Sequence, residues 1–244
     1  GGEPFLYYAA LLEGARLAAE AGFQVGLVTN AYWATDADDA LHCLRPFRGL
    51  VRDLSISSDL YHGDEMLSHN ARTALKAARQ LRIPADTISI AQPETPDAQP
   101  SQGQVPLGTS RVMYKGRAAE TLAGRASQAP WSGFTRCPHE ELREPGRVHV
   151  DAEGHLHVCQ GISIGNLNQA SLAQICQTYD PDAHPVIGPL LRGGPVELVI
   201  AHGLPHDERY ADACHLCYEA LRALRARYPC ILAPDQSYGV PSGE

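Results

Sequence analysis

Apolar positions in the segment 5–21 (FLYYAALLEGARLAAEA) recur at helical spacing and stop at Gly22, which predicts a helix with a glycine end. The segment 23–29 (FQVGLVT) is a short valine-containing apolar run and predicts a strand. A second helix is predicted over 36–44, with Asp36 as its cap. In 51–57 (VRDLSIS) apolar and polar residues alternate, as in a strand with one covered face. Asp64 then starts a helix over 65–81 that turns Met66, Ala71, Ala74, Leu75 and Ala78 inward. The runs 87–91 (TISIA) and 111–114 (RVMY) predict two further strands. Strand and helix alternating in this way predict parallel pairing with right-handed crossovers.

The pattern changes after residue 91. The segment 92–108 (QPETPDAQPSQGQVPLG) is rich in proline and glutamine and predicts a long loop. The segment 126–133 looks like a junction, which divides the chain into domains 1–125 and 126–244. In the second, 147–159 (RVHVDAEGHLHVC) predicts a β-hairpin with its turn at Ala152-Glu153-Gly154. A short helix is predicted over 172–176, one or two helices over 185–201, and a strong helix from Cys214 to about Arg227.

Composition narrows the function classes. The net charge of −8 makes an extended phosphate backbone an unexpected partner. No apolar run of about 18 residues predicts a membrane span, and a cytoplasmic location is expected. The chain of 244 residues carries seven cysteines, an odd number, and one pair spaced Cys-x-x-Cys. In a chain this long, metal ligation is the expectation rather than a disulfide framework.

Gly1-Gly2-Glu3-Pro4, a helix, Thr29-Asn30 at a strand end, and then Ser55-Ile56-Ser57-Ser58-Asp59 follow one another in an order that resembles the radical S-adenosylmethionine (radical SAM) superfamily over roughly residues 1–125. The resemblance implies an α/β fold, a partial (β/α) barrel followed by a small α+β domain. It also implies that S-adenosylmethionine meets Gly1, Gly2, Glu3, Asn30, Ser55, Ser57 and Asp59. The physics agrees: glycines allow close backbone approach and a carboxylate pairs with an ammonium. Family members carry their core 4Fe–4S cluster on a Cys-x-x-x-Cys-x-x-Cys loop before Gly-Gly-Glu. No such spacing occurs in this chain. The expectation is that this loop and its flanking strands precede residue 1, and that the chain alone generates no radical.

The second half resembles the auxiliary-cluster domains of that superfamily, SPASM and the shorter twitch domain. Gly154-x-x-x-x-Cys159 sits on the predicted hairpin, Cys137 lies upstream, and Cys214-His-Leu-Cys217 opens the last helix. The resemblance implies that Cys137, Cys159, Cys214 and Cys217 hold one auxiliary 4Fe–4S cluster, with structural zinc as the rival occupant. Cys43, Cys176 and Cys230 are read as packed thiols. The histidines 149, 155 and 157 alternate along the hairpin and are read as solvent-facing or packed. For the complete enzyme, the resemblance implies hydrogen-atom abstraction from a peptide or protein substrate and an electron donor such as flavodoxin or ferredoxin. The alternative is a non-catalytic module stapled by zinc or a cluster.

Overall fold

The computed structural model describes residues 2–58, 65–94 and 108–240. These form two compact units, one holding the described residues up to Gln92 together with 108–111, the other holding Pro93, Glu94 and 112–240. Among the described residues, no helix is long and apolar enough to cross a membrane.

The first unit is a parallel α/β layer. Its helices are α1 (Tyr8–Glu20), α2 (Ala37–Leu44) and α3 (Glu65–Leu81). Its strands are β1 (Val25–Thr29), β2 (Val51–Ser57), β3 (Ala85–Ile90) and β4 (Gly108–Ser110), hydrogen-bonded in that order and all parallel. The predicted helix over 5–21 is present, but its first turn, Pro4–Tyr7, is a tighter 3₁₀ turn. Asp36 caps α2 by accepting from the Asp39 N–H at 2.8 Å. Ala71, Ala74 and Ala78 on α3 are buried, as their spacing predicts; Asp64 and the Met66 side chain lie outside what is described. Small residues here let α3 lie close over the sheet. Phe5, Tyr8, Trp33 and Phe47 fill the core, with Phe5 stacked on Trp33 at 4.6 Å and tilted against Phe47 at 5.6 Å between ring centroids.

One strand is displaced from its expected place. The pairing segment is Gly108–Ser110, and 111–114 is irregular. Val112 and Tyr114 are buried nonetheless. The apolar alternation that suggested a strand is there to bury side chains, not to extend a ladder.

The second unit is α+β. It comprises α4 (Arg117–Thr121), β5 (Ala129–Pro130), β6 (His149–Val150), β7 (His155–Cys159), β8 (Ile162–Asn166), α5 (Leu172–Thr178), α6 (Ile187–His202), β9 (Arg209–Tyr210) and α7 (Ala213–Leu224). β5 pairs with β9, and β6, β7 and β8 form an antiparallel sheet. The hairpin is therefore a three-stranded meander; its third strand was masked in sequence by Gly165 and the asparagines that follow. Helix α5 opens with a capping box between Ser171 and Gln174. It buries Ile175, which rotates the adjacent Cys176 outward; Cys176 and Cys230 are both exposed rather than packed.

Helix α6 is broken in the middle. Gly193 and Gly194 leave helical geometry, Gly194 with φ +65°, and Pro195 starts the second half without needing an N–H partner. At the kink the backbone runs against Thr135 and Arg136. A Cβ on Gly194 would lie 2.2 Å from the Arg136 nitrogen. The Val196 N–H also donates to the Phe134 carbonyl at 3.3 Å. The kink thus grips the segment that leads into Cys137.

The start of α6 is held by a neutral imidazole. His184 Nδ1 accepts from the N–H groups of Val186 and Ile187 at 3.2 and 3.1 Å. Burial pushes its pKa down from 6.5 to about 4. Protonation would destroy the acceptor. The unfolded chain takes up a proton near pH 6.5 that the folded chain refuses until about pH 4. The contribution is therefore complete above pH 6.5 and drains away as pH falls toward 4. With a discount for partial exposure, urea unfolding should lose about 1–2 kcal/mol between neutral pH and roughly pH 5. In His184→Asn that loss should shrink; an unchanged slope removes His184 as its source.

Candidate cluster site and the edge of the parallel sheet

The four candidate ligand cysteines, among six in the second unit, come from three separate segments. Cys137 lies in the irregular stretch after Phe134, Cys159 ends β7, and Cys214 and Cys217 occupy the first turns of α7. Their thiols are electrostatic neighbours. Cys159 feels Cys137, Cys217 feels both Cys159 and Cys137, and Cys214 feels Cys159 and Cys217. Cys137, Cys159 and Cys217 all pack against the apolar core of the unit.

Burial dominates their chemistry. It pushes the Cys159 thiol up to about 11, against the opposing pull of the Lys115 charge, with Cys137 adding to the rise. Burial likewise holds Cys214 and Cys217 well above the usual thiol value, followed by Asp212 for Cys214 and by Cys159 for Cys217. The thiols keep some surface exposure, but dense protein around the sulfurs strips away enough solvent to penalise thiolate. Cys159, Cys214 and Cys217 gathered together become thiolates only when a cationic centre compensates their charge.

Two features oppose the penalty. α7 carries Cys214 and Cys217 in its first turns, where the helix dipole favours negative charge. Lys115 lowers the pKa of Cys159, Cys214 and Cys217 alike. Asp212 caps the helix, accepting from the His215 N–H at 2.7 Å through Oδ1 and from the Tyr114 N–H at 3.4 Å through Oδ2. Tyr238 closes one side; its hydroxyl donates to the Gly161 carbonyl at 2.6 Å, and burial, then Cys217 and Cys159, raise its pKa far above the usual phenol value.

The spacing of the sulfurs bears on what they fit. A single tetrahedral zinc with bonds near 2.3 Å holds its sulfurs only about 4 Å apart. Ligand atoms all within 4.8 Å of one another occur in His139–Asp212–Cys214 and in Asp151–His155–His157. Among the described residues, Cys137, Cys159 and Cys217 form no such trio. A four-iron cube places one iron between each thiolate and the centre, and so demands the wider arrangement. The His139–Asp212–Cys214 group is tight enough for one ion; Asp212 there already accepts from the His215 N–H through Oδ1 and from the Tyr114 N–H through Oδ2.

In the first unit, Glu3 and Asn30 come together at the carboxyl edge of the parallel sheet. Glu3 Oε1 accepts from Phe5 N–H at 3.1 Å and from the Thr29 hydroxyl at 2.9 Å, and Oε2 accepts from Asn30 N–H at 2.7 Å. A carboxylate offers about four acceptor positions, so Oε2 retains one for an outside donor. The register Thr29↔Ile56 brings Ser57 to the same level as Asn30. Ser55 is not part of this edge; it is buried and donates to Asp53 at 3.1 Å. Gly2 is exposed, while Gly1 and Asp59 lie outside the described residues. Cys43 packs partly against the first core, where burial raises its thiol pKa.

Sequence reasoning missed Lys115, Tyr238 and the capping role of Asp212. Asp212 was detectable as an N-cap residue directly ahead of Ala213-Cys214. Lys115 and Tyr238 reach the cysteines only through the tertiary fold. No protein-family model matches this chain, and no curated protein matches it.

Proposed function

We propose that the second unit binds one auxiliary 4Fe–4S cluster through Cys137, Cys159, Cys214 and Cys217, and that the chain belongs to a radical SAM enzyme acting on a peptide or protein. The observation that carries the reading is the meeting of four partly buried thiols from three segments, with a helix N-terminus and Lys115 supplying positive potential beside them. The donor set suits a cluster: all sulfur, with Cys137, Cys159 and Cys217 packed against apolar side chains. When bound, such a cluster supplies one-electron redox chemistry or an anchoring iron. The protein's own contribution is to hold the four sulfurs, offset their charge and keep water from them.

The first unit supports the cofactor part of this reading. Ligands of open parallel sheets lie beyond the carboxyl ends of the strands. Glu3 keeps an acceptor position there for an ammonium, beside Asn30 and Ser57. Radical generation needs a core cluster, and this sequence supplies no Cys-x-x-x-Cys-x-x-Cys for one.

Anaerobic reconstitution with iron and sulfide tests the proposal. The expected product is brown, with about four irons and four sulfides per chain. Colourless protein that instead retains a single zinc bound by sulfur overturns the cluster and favours the zinc-stapled module.

A further inference from the structure

The hairpin sheet carries a second ligand set that the cysteines do not use. Asp151 Oδ2 lies 3.0 Å from His155 Nδ1 and 3.0 Å from His157 Nε2. All three atoms fall within 4.8 Å of one another. The carboxylate is fixed from behind, because its Oδ1 accepts the N–H groups of Glu153 and His155, both at 2.9 Å. The imidazoles stand two residues apart on β7, and across a register shift between Leu156 and His157 both rings meet the one carboxylate. The side chain of His157 is 4% exposed, whereas those of His155 and Asp151 are 20% and 21% exposed. One ligand is anchored in the interior and the other two open to solvent. Glu153 Oε2, 4.0 Å from His155 Nδ1, stands at the rim.

We propose that Asp151, His155 and His157 form a mononuclear site for a divalent first-row cation of the zinc or ferrous class, separate from the cysteine site. Two imidazoles and one carboxylate select such ions over magnesium or calcium, which prefer all-oxygen shells. Three protein ligands leave at least one position for water or a substrate atom. Cys159 stands apart from this set: strand register shifts between His157 and Cys159, and its electrostatic partners include Cys137 rather than these histidines.

A second observation comes from the far side of the rings. His157 Nδ1 is buried and has no hydrogen-bond partner among the described residues. Neither has Nε2 of His149, the residue directly across the strand pair from His157. The nearest carboxylate to His149 Nε2 is Glu140, at 4.0 Å, beyond hydrogen-bond reach. Histidines that only filled space would leave both nitrogens wasted in the interior. A cation on His157 Nε2 would fix the proton on Nδ1 and give the buried ring a task that space-filling does not.

Zinc alone is the probe. One equivalent is added to the reconstituted protein, and the zinc X-ray absorption edge reads its ligand shell. The expected shell is nitrogen and oxygen at about 2.0–2.1 Å, with no sulfur near 2.3 Å. Asp151→Asn, which keeps the turn's acceptor oxygen, and His155→Gln should each weaken zinc binding at least tenfold. His42→Gln, on α2 of the other unit, should leave it unchanged. Failure of the unaltered protein to retain zinc, a shell containing sulfur, or full affinity in a folded Asp151→Asn variant overturns the site. The wild-type shell does not depend on any variant folding.

Discussion

Iron retention should collapse, from about four per chain to under one, when Cys214 and Cys217 are both changed to serine. The expectation follows from position. These two residues supply half the donor set from the first turns of α7, where the helix dipole acts most strongly. Serine keeps the shape and the Asp212 cap, so α7 should remain folded and far-ultraviolet circular dichroism should hardly change. The brown charge-transfer absorption, by contrast, should vanish. Cys176→Ser and Cys230→Ser are the proper comparisons: both thiols are exposed, and both variants should keep full iron. Cys43→Ser lies in the other unit and should do the same. If the double variant keeps its iron and colour, the ligands lie elsewhere and the cluster assignment fails.

The second large effect is predicted far from any sulfur. Gly194→Ala should destabilise the second unit by about 3–5 kcal/mol. Two costs combine. At φ +65° an alanine pays about 1 kcal/mol or more for a left-handed backbone. Its Cβ would also press on the Arg136 nitrogen, the Thr135 carbonyl carbon and the Arg136 Cα, at 2.2, 2.4 and 2.7 Å. These are backbone atoms, so no side chain can swing aside. Either the α6 kink opens or the segment before Cys137 moves, and both disturb the cysteine quartet. Chemical denaturation should show the lost stability, and reconstitution should show reduced iron occupancy. Gly133→Ala, nearby but with open space around its Cβ and an ordinary φ, should stay within about 0.5 kcal/mol of the parent. Equal stability for the two variants would mean that the tight approach at Gly194 is not present in solution.

The first unit was the more legible in sequence because its signals are local. Helices α2 and α3 and strand β2 follow directly from a cap residue, a 3.6-residue period and a 2-residue period. The segment 111–114 misled because a buried irregular chain also alternates apolar residues. In the second unit, strand β8 escaped notice: Ile162-Ser163-Ile164 is too short a run to separate from the turn before it. Cys176 was misjudged because one residue along a helix turns a side chain through about 100°, and Ile175 took the inward place. The cysteine spacing predicted a shared centre because Cys-x-x-Cys at a helix start is a local pattern, and the fold makes these thiols electrostatic neighbours. What surrounds that centre was hidden. Lys115 and Tyr238 are distant in sequence, and no periodicity joins them to the cysteines. The hairpin histidines were read one at a time, whereas their meaning depends on Asp151 and on the strand register that sets His149 opposite His157.

The long span from Cys137 to Cys217 has a consequence for biogenesis. A ribosome delivers Cys137 and Cys159 well before the last helix, so an unfinished chain offers two sulfurs and an exposed apolar surface. The final pair arrives with α7, which also brings Leu216, Leu221 and Leu224 to complete the core. Under the proposed cluster reading, a chain would thus offer a complete donor set only once α7 has emerged, and chains lacking α7 would remain empty and open to proteolysis.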